Sequence, residues 1–138
     1  MFGLAAGEAI LRGMERKTRQ RDAVCGVFER ESRPLSPLEV LQEAQRELPT
    51  LGIATVYRHL RSLVEEEWLQ LVELPGVPPR YERAGKHHHH HFHCHGCGKV
   101  YELEGCTGGF ASLVPDGFEL ESHTMVLHGR CAGCTHAA

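Results

Sequence analysis

No run of about 18 apolar residues occurs in the 138-residue chain, so no segment is expected to span a membrane. The first 13 residues, MFGLAAGEAILRG, lack the basic start and long apolar core of a secretory signal. They read as a short amphipathic helix or a disordered extension (1–13), with Met14 as an alternative start. A strong charge of either sign is also missing: the net charge is −3, which by itself announces no nucleic-acid partner. Internal repeats are absent, which excludes a solenoid. Cysteine is scarce in the first half, where only Cys25 occurs.

What is present is unevenly distributed. Ten of the eleven histidines and five of the six cysteines lie from His87 onward. Residues 87–97, HHHHHFHCHGC, pack seven imidazoles and two thiols into eleven positions. A second CxxC pair, Cys131 and Cys134, stands near the C-terminus. With no secretion signal and histidines beside one pair, metal ligation in a reducing cytoplasm fits better than a disulfide framework. In the first half, Arg12, Arg16, Lys17, Arg19 and Arg21 face one acid, Glu15, over residues 12–21. Such a local basic patch suits phosphate contacts or an ordinary solvated helix face.

The first half predicts three helices and a hairpin. Thr18 is placed as the cap of a helix through about Glu31, with Ala23, Val24, Val27 and Phe28 on one face. Ser36-Pro37-Leu38-Glu39 is a capping box with proline at the first helical position. That second helix is expected to turn Leu38, Leu41, Ala44 and Leu48 inward and to stop at Pro49. A third, about Gly52 to Glu66, carries Ile53, Val56, Leu60, Leu63 and Val64 as a core stripe, with Thr55, Arg58, Arg61 and Ser62 opposite. WLQLVEL (68–74), the turn PGVPP (75–79) and RYERA (80–84) then read as a hairpin. This order fits a winged helix-turn-helix, and equally a small α+β core with no nucleic-acid role.

In the second half, GKVYELEG (98–105) and FELESHTMVLHG (118–129) read as strands, and residues 106–114 as a short helix. Cys94, Cys97, Cys131 and Cys134 form a strong candidate for a closed tetrahedral zinc site. In an extended segment His87, His89 and His91 share one face and His88 and His90 the other, so one run can feed two metal sites. Glu82, Glu102, Glu104 and His123 are further donors, and a mixed N/O set binds Zn²⁺, Fe²⁺ or Mn²⁺ reversibly. A solvated polyhistidine loop is the bland alternative. Cys25 reads as a core residue, and Cys106 as structural rather than a ligand. At this point a zinc enzyme and a metal-buffering or delivery protein remain rivals to a metal-responsive DNA binder.

The ordered set TRQRDAV (18–24), SPLEVL (36–41), IATVYRHL (53–60), RYE (80–82), HHHHHFHCHGCGKVYEL (87–103), SH (122–123) and HGRCAGC (128–134) resembles the ferric-uptake-regulator family of metal-dependent repressors. The resemblance covers nearly all the chain from about Met14. It implies an α+β protein, with a winged helix-turn-helix DNA-binding domain (14–84) followed by a small α/β metal-binding dimerisation domain (85–138). It also implies a cytoplasmic homodimer that binds double-stranded operator DNA when its sensing site is filled, and no enzyme. By position, Cys94, Cys97, Cys131 and Cys134 match the structural Zn²⁺ site, and Glu82, His89, His91 and Glu102 match the regulatory site. His88, His90 and His123 match a third site, Thr55, Tyr57 and Arg58 the recognition helix, and Arg19 a basic residue near DNA. Pro34 stands where iron-type members supply a histidine, and Ala84 where zinc-type members supply a cysteine. Gly109 lies near the place of the third site's acid, for which Glu104 or a water would substitute. Glu82 and Glu102 favour an oxygen-richer regulatory site, for Fe²⁺ or Mn²⁺.

Overall fold

The computed structural model describes residues 6–136, which divide into two compact units after Ala84. The first unit is α1 (Ala6–Arg30), α2 (Pro37–Ala44), α3 (Ile53–Glu65), β1 (Leu69–Leu74) and β2 (Val77–Arg83). Its core gathers Ala23, Val24, Val27 and Phe28 from α1 with Val40 and Ala44, Val56, Leu60 and Leu63, Leu35, Leu51 and Leu69. Each helix contributes residues spaced three or four apart, the pattern that buries one stripe.

α1 begins well upstream of the expected cap. Thr18 lies inside the helix, where its Oγ1 donates to Met14 O at 2.9 Å. A hydroxyl that can serve as a cap can equally bond the preceding turn, so its type alone did not fix the start. Residues 6–13 are therefore helical, and residues 1–5 of the expected extension lie outside the described residues. The capping box is as expected: Glu39 N–H donates to Ser36 Oγ at 3.2 Å, and Ser36 N–H to Glu39 Oε1 at 3.1 Å. Leu41, Ala44 and Leu48 face the core as expected, joined by the buried Val40, but Leu38 is 61% exposed. α2 ends at Ala44, ahead of Pro49, where Gln45 Nε2 donates to Leu51 O at 2.9 Å and ties the following turn down.

α3 buries Val56, Leu60 and Leu63, with Val64 packed at the core's edge, while Ile53 at its start is exposed rather than inward. The wing hairpin turns at Pro75-Gly76, tighter than expected, with Gly76 at φ 72°. β2 starts at Val77 and accommodates Pro78 and Pro79 at a register irregularity between Val72 and Leu74, where the missing N–H groups break no regular ladder. Leu35 adds a bridge to Tyr81, with N···O distances of 2.8 and 2.9 Å.

The second unit holds a three-stranded sheet in the order β4 (Val100–Leu103), β3 (His90–Cys94), β5 (Val126–Gly129). β3 is central, antiparallel to β4 and parallel to β5. The expected strand over 118–129 is confined to its last four residues, and the expected helix over 106–114 to a 3₁₀ turn at Phe110–Leu113. Gly108 and Gly109, at φ 71° and 78°, start that turn too late for a full helix. A short helix α4 (Ala132–Thr135), absent from the sequence reading, folds over the second CxxC.

Three substitutions test the first unit. Ser36→Ala is expected to cost about 1 kcal/mol and Leu60→Ala about 2–5 kcal/mol, both measured by urea unfolding. Burial alone would raise the Glu39 carboxyl, but the Ser36 N–H and the Arg33 guanidinium at 2.6 Å outweigh it and hold it below the ordinary carboxylate range. A lowered folded-state value means its stabilisation is present above the unfolded value and is lost as pH falls through the folded one. Glu39→Gln should therefore flatten the acid side of the stability–pH curve, with the wild-type excess seen only above that window.

Candidate metal centres

β3 and its flanks set the second unit's donors by period-two alternation. His88 and His90 lie side by side, with ring centroids 4.5 Å apart, and His89 and His91 form the other such pair at 4.9 Å. The strand then ends in Cys94, which is fully buried.

Cys94, Cys97, Cys131 and Cys134 converge, with all four sulfurs within 4.8 Å of one another and no disulfide formed. The first CxxC turns at the end of β3, where Gly98 N–H donates to Cys94 O at 2.9 Å. The second turns into α4, where Cys134 and Thr135 N–H both donate to Cys131 O. Cys97 and Cys131 Sγ are 3.8 Å apart, the edge of a tetrahedron whose metal–sulfur legs are about 2.3 Å. Backbone N–H groups of Cys131 (3.2 Å) and Cys97 (3.5 Å) point at Cys94 Sγ. These two bonds draw the Cys94 thiol down to about 5, that from Cys131 being the larger cause. Cys131 is also lowered, by the Cys134 N–H and then by the Tyr101 hydroxyl. Cys134, hydrogen-bonded to Cys94, is pushed up to about 12. Four thiolate donors on a tetrahedral edge length fit Zn²⁺, with no position left open for substrate.

A second group joins His88, His90, His123 and Cys106, again with donor atoms within 4.8 Å of one another. Cys106 is thus corrected from a structural residue to a potential ligand, and Glu104, the expected substitute donor, is not in this group. Sequence reasoning missed Cys106 because it sits outside both CxxC pairs, in a loop with no periodicity. Its only local signal was the pair of glycines flanking it, Gly105 and Gly108, both at positive φ.

His89 and His91 lie on the other side of β3, with His89 Nδ1 2.7 Å from His87 O. His91 sits opposite Glu102 in the β3–β4 register. The Glu102 carboxylate, expected as a further donor beside these imidazoles, is paired with Lys86 Nζ at 2.9 Å. In the first unit, Glu82 is buried on β2 and accepts from Gln70 Nε2 at 2.7 Å. Pro34 is buried against that unit's core and offers no donor.

The other expected functional residues lie on α1 and α3. Tyr57 and Arg58 are exposed, and Arg58 Nη2 donates to Thr55 Oγ1 at 3.3 Å. Arg19 and Arg16 line a shallow groove with Gln20, Leu48, Thr50 and Leu51, so α1's basic face reaches the turn that precedes α3.

A Cβ on Gly96 would lie 2.6 Å from Cys134 Sγ and 2.9 Å from its Cβ, so the knuckle closes only with glycine there. Gly96→Ala is accordingly expected to lower zinc retention during chelator challenge, measured as zinc per chain, while Gly98→Ala, with open space around its Cβ, should pay only its backbone strain at φ 76° and keep the metal longer.

Residues 12–128 match the model of the ferric uptake regulator family. The ferric uptake regulation protein of Campylobacter upsaliensis is 34% identical over 124 residues, covering 86% of this chain and 80% of that protein. The zinc uptake regulation protein of Mycobacterium tuberculosis is 32% identical over 124 residues, covering 86% and 94%. The solved structure of the Helicobacter pylori ferric uptake regulator, described as having three functional metal-binding sites, superposes with a TM-score of 0.63 at 27% identity, covering 99% of both chains. An N-terminal winged-helix unit, a second unit built around convergent thiolates and imidazoles, and these likenesses together make the chain a metal-responsive transcriptional regulator of the ferric uptake regulator family.

Proposed function

We propose that this protein is a cytoplasmic, non-enzymatic repressor that binds palindromic operator DNA as a homodimer when a divalent metal, Fe²⁺, Mn²⁺ or Zn²⁺, fills a regulatory site formed by Glu82, His89, His91 and Glu102. The observation that carries this reading is the division of donors along β3. One strand presents His88 and His90 on one side, His89 and His91 on the other, and Cys94 at its end. A structural thiolate site and a softer-to-harder set of imidazole sites can therefore coexist in one small unit. The three sites named for the Helicobacter pylori relative agree with that count.

Glu82 ends the wing, whereas His89, His91 and Glu102 belong to the second unit. An ion taken by both sets would restrict the angle between them across the short connection 83–88. In a dimer that angle sets the separation of the two α3 helices, which must match a groove repeat of about 34 Å. A metal that favours one angle shifts the population toward the DNA-competent state. Glu102 would take the ion in competition with Lys86, which holds its Oε2 at 2.9 Å. Arg58 and the basic face of α1 contact phosphates, Arg19 among them, and Tyr57 with Thr55 reads base edges or thymine methyls. The homodimer is supported by apolar side chains that the second unit leaves exposed: Leu113, Phe118, Leu120 and Leu127.

Operator binding followed by mobility shift across Mn²⁺, Fe²⁺ and Zn²⁺ titrations tests the reading. Glu82→Ala and His89→Ala are expected to need far more metal or to lose binding, and unchanged, metal-independent affinity in both would sink it. Arg58→Ala should weaken binding across sequences and reduce the salt-dependence slope by about one.

A further inference from the structure

His123 Nε2 is the centre of an arrangement that hydrogen bonding cannot satisfy. It lies 3.2 Å from His88 Nε2, 3.3 Å from His90 Nε2 and 3.2 Å from Cys106 Sγ. One ring nitrogen either donates one proton or accepts with one lone pair. At most one of the three contacts is then a full hydrogen bond, and the other two are left with a shared, weakened one or with none. An ion that all four donors face removes the conflict. The distances suit this too, since a tetrahedron with metal–nitrogen legs of about 2.0–2.1 Å and a metal–sulfur leg of about 2.3 Å has edges of roughly the same length. His90 is buried at the centre of the sheet, and the Phe110 ring packs 4.4 Å from that of His123, so two ligands are held by packing before any ion arrives. Gly105 and Gly108 at positive φ turn the loop so that the Cys106 thiol points back at His123.

We propose that Cys106 is the fourth ligand of a His₃Cys site with His88, His90 and His123, and that this thiolate makes the site select Zn²⁺ over Mn²⁺ and Fe²⁺. The inference rests on the reading of the three histidines as a metal site and adds its missing donor. The family pattern places an acid in this role. Replacing a hard carboxylate by a soft thiolate moves the preference toward the metals that bind sulfur, and Zn²⁺ already exceeds Fe²⁺ and Mn²⁺ for a given nitrogen-containing site. With four protein donors the site is closed, although the exposed His88 and Cys106 side chains leave it accessible to exchange.

The test uses the full chain carrying zinc in its four-cysteine site, titrated with Co²⁺ while retained zinc is measured. The regulatory set contains no thiolate, so with zinc retained a new thiolate-to-Co²⁺ charge-transfer band reports Cys106. The wild type is expected to gain that band. Cys106→Ser should lose it and bind Zn²⁺ at this site at least about tenfold more weakly, on the scale of losing a metal site's support. Cys106→Asp should still bind Co²⁺, without the band, and should narrow the preference for Zn²⁺ over Mn²⁺. Co²⁺ bound to the wild type with no thiolate band, or a band that persists in Cys106→Ser with the zinc retained, overturns the assignment of Cys106. If His123→Ala leaves the amount of bound Co²⁺ unchanged, the three-histidine site itself is overturned, and the Cys106 proposal with it.

Discussion

Much of the second unit depends on the pleat of β3. Alternation along a strand sends neighbouring side chains to opposite faces, and here it separates one histidine run into two donor pairs before delivering a thiol at the strand's end. β3 can do this because it is the central strand. β4 bonds it from one side and β5 from the other, so its backbone position is fixed independently of what its side chains bind. An edge strand, free to slip by one residue, would exchange the two faces and scramble both ligand sets.

That ladder must carry an unusual share of the order, because hydrophobic burial is thin. The first unit has a continuous core from Ala23 to Leu69. Among the described residues of the second, the buried apolar side chains are Cys94 and Val100, joined by the polar His90. Two such side chains cannot offset the conformational entropy of ordering a unit of this length. Coordination can: zinc at a four-cysteine site contributes on the order of 10–16 kcal/mol in small peptides. The site also joins the end of β3 to α4, the two extremes of the unit's chain. The first unit is therefore organised by its apolar core, whereas the second has the donors to be organised by a bound metal.

The sequence was most legible where one local interaction decides the structure. Ser36 and Glu39 bond each other's backbone, so the start of α2 could be read from four residues. The α3 stripe at Val56, Leu60 and Leu63 was equally readable, because amphipathic periodicity is a property of one segment. Thr18 misled because capping and back-bonding use the same hydroxyl, and only the chain upstream decides between them. Leu38 was misplaced because the docking angle of α2, set by partners far away in sequence, chose Val40 instead. The four cysteines could be found by spacing, whereas Cys106 could not. Its neighbour in space, His123, lies beyond an irregular loop and a 3₁₀ turn.

The three donor sets then form a series. The all-thiolate site is closed and soft, the proposed His₃Cys site is closed and intermediate, and the proposed regulatory set of imidazoles and carboxylates is the hardest. A site reports on metal supply only if it is partly empty over the range in which supply varies, so the tightest site is the poorest sensor. On affinity for Zn²⁺ the series fills from the thiolates outward, because each sulfur replaced by nitrogen or oxygen weakens the hold on a borderline-soft ion. Lys86 bears on the proposed regulatory set: its ammonium holds Glu102 Oε2, so an ion taken by that carboxylate would share or replace an existing cationic partner, which would raise the metal concentration needed to fill the site. Selecting Zn²⁺ at a separate closed site would then leave the regulatory donors free to answer to a different ion.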